Sequence, residues 1–364
     1  MQAPGPPLRM PAQTSQERAW TAMAQSMAGM IGVPGRRLSG TGAWRTVIGM
    51  RHDVVLYQGE ALGRYGFGGG HPFGPDRLSA FLAELARQGL DRAVRTAVPV
   101  AATDEALLRF HDAAYVRRVR LQSLSGGGFL DQGDTPAVPG LFDAASHVVG
   151  SVLAGAALLL QGEASRVFVP IAGLHHAKRA SAAGFCVFND IGVLIESLKR
   201  QGLTRIAYVD IDAHHGDGVY YDFEDDPCVV CADIHEDGRF LYPGTGAREE
   251  RGRDAGAGRK LNIPLAPGAG DREFMAAFGE VEAFVRAARP EIILLQAGAD
   301  SIAGDPLAHL ALTPEAHRHA TKRLCALAGE YAQGRVLAMG GGGYNRDNLA
   351  ATWTGVVREL LADR

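Results

Sequence analysis

The sequence predicts an α/β fold, a parallel sheet with helices on both faces. Two observations carry this. Short continuous apolar runs, such as Arg166-Val-Phe-Val-Pro170, Glu291-Ile-Ile-Leu-Leu-Gln296 and Arg335-Val-Leu-Ala-Met339, alternate with longer amphipathic stretches. Strands that are apolar on both sides belong in parallel sheets covered on both faces. The polar clusters, at residues 173–178, 210–217, 235–246, 297–301 and 340–344, each follow directly on a strand. In open parallel sheets ligands bind beyond the carboxyl ends of the strands. Five separate loops should therefore meet at one edge.

The elements follow in order. Residues 1–45 are rich in Pro, Gln, Ser and Met and carry no strand signal; they read as an N-terminal extension with one short helix over 15–30, capped by Ser15. Residues 46–364 read as one domain. Residues 54–57 form a short strand, and 59–74 a glycine-rich loop. Pro75 opens a helix to about 87. Thr103 caps a helical stretch that continues over 111–124, and 125–139 is loop by its glycines, prolines and aspartates. An Ala-rich helix over 141–161 precedes the strand 166–170. A helix over 186–200 leads to the strand 205–212. Strands follow at 228–234, 261–265, 291–296 and 335–339, with helices over 271–288, from Thr313 to about 331, and after the glycine run at 340–343.

The chain has 364 residues, 46% hydrophobic and 21% charged, with a net charge of −3. That composition is globular, and the charge supplies no bulk drive toward nucleic acid or membrane. No uninterrupted apolar segment approaches the roughly 20 residues of a membrane span, and the N-terminus lacks a signal-peptide pattern. A faint twin-arginine resemblance at Arg36-Arg37 has no apolar region after it. Cys228 and Cys231 form a lone CxxC inside an apolar run, and with Cys186 and Cys325 they read as free thiols of a reducing cytoplasm rather than a zinc knot.

The chemistry centres on Asp210-Ile-Asp-Ala-His-His-Gly-Asp-Gly218. A buried strand running into two carboxylates and two imidazoles implies pairing, a metal, or both. The two-residue strand period sets Asp210, Asp212 and His214 on one side. Asp300, ending the run 291–300, supplies a further carboxylate. Asp212, His214 and Asp300 make a three-ligand set for zinc or a similar divalent ion, leaving a position open as a catalytic metal requires. Asp210 and Asp217 are then free to accept from His175 and His176, the adjacent pair at another strand exit, and to fix their tautomers. The sequence does not show which pairs with which. Tyr344, after four glycines, can present a phenol to a developing oxyanion; the glycine run lacks the Lys-Ser/Thr of a P-loop.

These residues, together with Gly184-Phe-Cys186, Tyr242-Pro-Gly-Thr-Gly246, Ala303-Gly-Asp-Pro306 and Gly340-Gly-Gly-Gly-Tyr-Asn345, resemble the zinc-dependent histone deacetylase family from about residue 50 to 362. That family includes bacterial acetoin-utilisation-type and acetylpolyamine-deacetylating members. The resemblance implies an arginase-like three-layer α/β fold with a mostly parallel eight-stranded sheet. It implies one zinc per chain on Asp212, His214 and Asp300, and hydrolysis of acetyl or related acyl groups from lysine side chains by metal-activated water. His176 would be the general base, oriented by Asp217. His175, paired with Asp210, would assist electrostatically, and Tyr344 would polarise the amide carbonyl. Gly184, Phe185 and Tyr242 would line the acyl-lysine tunnel. Asp134, with Asp131 as a nearby rival, would hold the substrate backbone. Arg77 would lie beside an internal acetate channel. A structural potassium ion is implied near Asp210, Asp212, His214, Asp233 and Ile234, and a second monovalent site near Phe223 and Val229.

Two other classes are weaker. A two-manganese ureohydrolase needs more aspartates after the late strand, where Asp300 is followed by Ser-Ile-Ala-Gly. A non-catalytic acyl-lysine-binding module would have lost at least one of the groups above. Within deacetylases, Leu307 stands after Gly304-Asp-Pro306 where an acidic residue would favour cationic polyamines. The expected substrate is therefore acyl-lysine in protein or peptide, and the alternative is an acetylpolyamine or another small acetylated amine. No direct nucleic-acid or membrane partner is expected, and assembly into a homo-oligomer is open.

Overall fold

The computed structural model describes residues 54–362. The expected extension over 1–45, its helix and the start of the catalytic domain at 46 lie outside the described residues. In chain order the elements are β1 (Val54–Tyr57), α1 (Glu60–Gly63), α2 (Arg77–Arg87), β2 (Arg95–Ala97), α3 (Asp104–Leu107), α4 (Ala113–Ser125), α5 (Leu141–Gln161), β3 (Arg166–Val169), α6 (Asp190–Arg200), β4 (Ile206–Asp210), α7 (Asp217–Asp222), β5 (Val229–Glu236), β6 (Lys260–Leu265), α8 (Asp271–Ala288), β7 (Ile292–Gln296), α9 (Pro314–Tyr331), β8 (Val336–Met339) and α10 (Arg346–Leu361).

The eight strands form one sheet in the order β2-β1-β3-β8-β7-β4-β5-β6, and every neighbouring pair is parallel. The sheet matches the arginase-like expectation, with the eighth strand, β2, missed by sequence because Arg-Thr-Ala has no apolar run. The register is what builds a site. Val169, Met339, Gln296, Asp210, Asp233 and Asn262 lie level across six adjacent strands. The loops that leave the carboxyl ends of β3, β4, β5, β7 and β8 therefore start from one row.

Two helical groups sandwich the sheet. Helix α5 packs on β3, β8 and α6, while α2, α10, α9 and α8 pack in succession, α8 on β4 to β6 and α9 on β7 and β8. Helix α5 has the length and composition to cross a membrane, but 67% of its most apolar window is buried inside the fold. It ends where Gly162 takes φ 71°, the left-handed turn that returns amide protons to the carbonyls of Leu158 and Leu159. Helix α9 begins as the sequence predicts, with Thr313 capping the Glu315 amide and Pro314 in the first turn.

Three expectations change. The helix expected from 186 starts at Asp190, because the Asn189 side chain accepts from the Gly192 amide and caps it there. The stretch from 103 to 124 is two helices separated by a turn at residues 108–112. The glycine-rich loop holds one helical turn, α1. On the other side of the site, Trp353 of α10 is fully buried and donates to the carbonyls of Ala297 and Gly340, tying α10 to the ends of β7 and β8.

Candidate metal centre and active site

The end of β4 delivers Asp212 and His214, and the end of β7 delivers Asp300. Their ligating atoms lie within 4.8 Å of one another, and all three residues are buried. His214 Nδ1 stands 3.1 Å from Asp212 Oδ1 and 3.2 Å from Asp300 Oδ2. Donors held by one tetrahedral ion at about 2.0–2.1 Å sit roughly 3.3 Å apart, so the spacing fits. The electrostatics fit as well. Burial and the charge on Asp212 push Asp300 up to about 7. Burial opposes a charge on His214, yet the two carboxylates hold it up at about 10. The pocket favours positive charge strongly enough to pull a proton onto an imidazole. Two carboxylates and one imidazole are a suitable donor set for a zinc-like divalent ion.

The remaining oxygens of these ligands are themselves held. Asp212 Oδ2 accepts from Gln296 Nε2 at 2.8 Å and from the Gly342 amide at 2.9 Å, and Asp300 Oδ1 accepts from the Ala213 amide at 3.0 Å. Gln296 is absent from the residues the sequence singles out. A polar residue closing an otherwise apolar strand was the available signal.

The loop after β3 brings in the two imidazoles, and the pairing that sequence left open is resolved. His175 Nδ1 lies 2.8 Å from Asp210 Oδ2, and His176 Nδ1 lies 2.8 Å from Asp217 Oδ1. An ionised carboxylate only accepts, so each Nδ1 carries a proton, and in whichever ring is neutral Nε2 is left as the basic atom. The two histidines differ in charge. Burial lowers both, but Asp210 and Asp212 outweigh it at His175 and hold it at about 10. His176 is lowered to about 4 by burial and by the charge on His175, against the pull of Asp217. Asp217, despite burial, is held down at about 2 by His176 and by Lys178 at 3.2 Å. Asp210 is pushed up to about 6, chiefly by burial and against His175. Asp190, absent from the expected set, anchors this loop by accepting from the amides of Gly173 and Leu174.

Tyr344 is half-buried, its ring edge-on to Phe185 at 5.8 Å and to Phe73 at 6.4 Å. Burial and the charges on Asp300 and Asp212 keep its phenol protonated. Its backbone is gripped from both sides: Asp305 Oδ2 accepts from the Tyr344 amide at 2.7 Å, and Arg346 Nη1 donates to its carbonyl at 3.0 Å. Arg77 is fully buried and donates to the carbonyls of Gly343 at 2.9 Å and Gly341 at 2.6 Å; among the described residues its Nη1 has no hydrogen-bond partner.

Phe185 and Tyr242 flank this cluster. Phe185 holds φ 68°, costly for a bulky residue. It is fixed by Tyr65, whose hydroxyl donates to its carbonyl at 2.7 Å, and by Thr135 Oγ1 at its amide. A Cβ at Gly184 would stand 2.5 Å from His176 Cδ2 and 3.1 Å from Tyr242 Cε1, so only glycine lets these rings close in. The Tyr242 ring lies 5.1 Å from that of His176. The two carboxylates expected at the rim differ in their surroundings. Asp131 accepts from the amides of Gly133, Asp134 and Thr135 and from the Thr135 hydroxyl, which leaves it committed to its own turn. Asp134 is exposed. Leu307 is half-buried with its amide on Asp305. Pro306 beside it lines a cleft of about 480 Å³ with Phe67, His71, Tyr344 and Arg346.

Of the residues expected near potassium, Asp210 and Asp233 are level neighbours on β4 and β5, and Asp233 accepts from the Gly216 amide and pairs with His235. Where the second monovalent site is expected, near Phe223 and Val229, the Val229 carbonyl accepts from the Lys260 ammonium at 2.7 Å, and the Phe223 carbonyl accepts from the Asp226 amide.

Comparison with known proteins agrees with this geometry. A histone deacetylase domain is matched over residues 71–360. The chain is 36% identical over 312 residues to the "Acetoin utilization protein AcuC" of Bacillus subtilis (strain 168), covering 81% of this chain and 78% of that one. It is 36% identical over 295 residues to a "Probable deacetylase" of Archaeoglobus fulgidus, covering 80% and 81%. Among solved structures, the HDA15 HD domain superposes with a TM-score of 0.78 at 28% identity, covering 86% of this chain and 89% of that one.

Proposed function

This chain belongs to the histone deacetylase family, and from that membership we propose that it is a zinc-dependent amidohydrolase that removes acetyl or related acyl groups from lysine side chains of proteins or peptides. One observation carries the reading. A buried Asp212–His214–Asp300 ligand set stands beside a neutral imidazole, His176, whose Nδ1 is committed to Asp217. A divalent ion on those three residues supplies Lewis-acid polarisation and lowers the pKa of water toward 7.

The chain's own groups do the rest. His176, held neutral by burial beside the charged His175, takes a proton from water at Nε2. It returns that proton to the departing amine. His175, charged and bound to Asp210, adds positive field where negative charge develops. The Tyr344 phenol, kept protonated, donates to the substrate carbonyl oxygen as it becomes an oxyanion. Gly184, Phe185 and Tyr242 flank the acyl-lysine stem, and Asp134 accepts from the substrate backbone. Arg77, whose Nη1 has no partner among the described residues and lies behind the Gly341–Gly343 turn, is suited to meet the carboxylate product. A structural potassium near Asp210 and Asp233 is part of the same reading, supported by the buried carboxylates brought level there. We assign residues 46–364 to the catalytic domain, 1–45 to an extension, and the protein to the cytoplasm.

The deciding experiment is a deacylation panel: acetyl-lysine peptides against acetylspermidine and acetylputrescine, each with and without chelator. Chelation should abolish hydrolysis and zinc should restore it. Turnover that survives complete metal removal sinks the mechanism. Turnover confined to the polyamines moves the substrate to small acetylated amines.

A further inference from the structure

Lys260 opens β6 with none of its surface exposed. Its ammonium is bound by main-chain oxygens, Val229 O at 2.7 Å and Asp226 O at 3.1 Å. Among the described residues it has no ion pair. The nearby Asp226 carboxylate is spent on the Cys228 amide at 2.8 Å and on Lys199 at 2.5 Å. A buried, uncompensated ammonium is costly, and burial lowers its pKa. What offsets that cost is the pair of main-chain oxygens that hold the ammonium.

Their availability arises from the register. The β5–β6 ladder begins with the Cys231 amide donating to Arg259 O at 3.0 Å. The Arg259 amide turns away to Gly256 O at 3.0 Å, so β6 offers no amide to Val229 O. The turn before β5 closes when Phe223 O accepts from the Asp226 amide, which leaves Asp226 O facing the same point. Carbonyl dipoles converging without a carboxylate suit a monovalent cation, whose hydration shell they replace. A divalent ion asks for anionic oxygens. An ammonium group and a potassium ion are close in size and charge.

We propose that the turn over residues 223–229 is a monovalent-cation site whose occupant is built into the chain as the Lys260 ammonium. The fold then needs no free ion at this point. The site lies at the amino end of β5, remote from the carboxyl-end loops, and stands independently of the deacetylase reading.

The test uses the full metal-loaded chain, with Tm measured in potassium, ammonium and choline chloride at equal ionic strength. The wild-type difference between potassium and choline sets the baseline, including any other ion site. Lys260→Ala opens the space, and its Tm should rise by several degrees more than that baseline, saturating with potassium or ammonium. Lys260→Met fills the space without a donor and should melt several degrees below wild type. An Ala variant that responds only as wild type does, or stays unfolded at every potassium or ammonium concentration, overturns the proposal. So does a Met variant as stable as wild type.

Discussion

Gly298→Ala tests the metal centre without touching an ionisable group. Gly298 follows β7, and its φ is not in the left-handed region, so alanine meets no backbone penalty there. The obstacle is space: an ideal Cβ would stand 1.9 Å from Asp212 Oδ2, 2.5 Å from its Cγ and 2.8 Å from its Cβ. Ordinary carbon–oxygen contact needs about 3.4–3.5 Å, so the carboxylate must retreat by about 1.5 Å. Ligand positions in a metal site tolerate only about 0.2 Å. The same retreat strains the bonds from Gln296 Nε2 and the Gly342 amide to Asp212. Loss of outer-sphere support alone typically costs about 10–100-fold in metal affinity, and loss of the ligand position should exceed that. Overpacking should cost about 1–3 kcal/mol of stability, which leaves the fold intact. The assay is metal content of the purified protein, affinity by chelator competition, and far-UV circular dichroism to show folding. Gly279→Ala is the matched control. It lies exposed in α8 with nothing within 4 Å of a new Cβ, and should keep metal and activity while gaining about 0.5–1 kcal/mol. A folded Gly298→Ala protein that binds one metal ion with wild-type affinity refutes the assignment of Asp212 as ligand.

Tyr344→Phe should retain the metal and lose about 10²–10³ in kcat, the usual effect of deleting an oxyanion donor; unchanged turnover removes the phenol from the chemistry. Leu307→Glu should raise kcat/KM for acetylspermidine relative to an acetyl-lysine peptide, and an unmoved ratio rejects Leu307 as a selector at the mouth. For Asp217, a folded pKa of about 2 against an ordinary 3.8 means the ionised carboxylate stabilises the fold at pH above about 4. That contribution, about 2 kcal/mol, disappears as pH falls from about 4 to 2. Urea unfolding should therefore show Asp217→Asn destabilised at pH 7 and converging on wild type toward pH 2.5; a gap that stays constant with pH contradicts the paired state.

Residues that carry both charge and chain position are legible in the amino-acid sequence itself. Asp212, His214 and Asp300 can be read as ligands because two follow the strand period and the third ends an apolar run. The pairing of His175 with Asp210 and of His176 with Asp217 cannot, because it depends on how far the β3 loop reaches across β8 and β7 to β4, which only the register fixes. The short edge strand Arg95–Ala97 is invisible because it buries little and alternates no apolar side chains. Asp190, Gln296 and Asp305 stay hidden for a shared reason: each works by accepting from or donating to main-chain groups of the functional loops, and such partners leave no spacing rule in sequence.

That last group follows from the glycines. A Cβ at Gly342 would stand 2.0 Å from Asp300 Oδ2, one at Gly216 would stand 2.6 Å from Asp210 Oδ2, and one at Gly184 would stand 2.5 Å from His176 Cδ2. The carboxylates and imidazoles can approach one another only where neighbouring backbone carries no side chain. Backbone without side chains cannot anchor itself by packing, so the loop must be gripped through its own amides and carbonyls. Arg77 holds Gly341 and Gly343, Asp305 and Arg346 hold Tyr344, and Gln296 spans from Asp212 to Gly173. A glycine run ending in tyrosine is weak evidence of function by itself. It becomes specific when buried polar side chains from other elements are spent on its main chain, because a passive loop gives no reason to bury an arginine and an aspartate for that purpose.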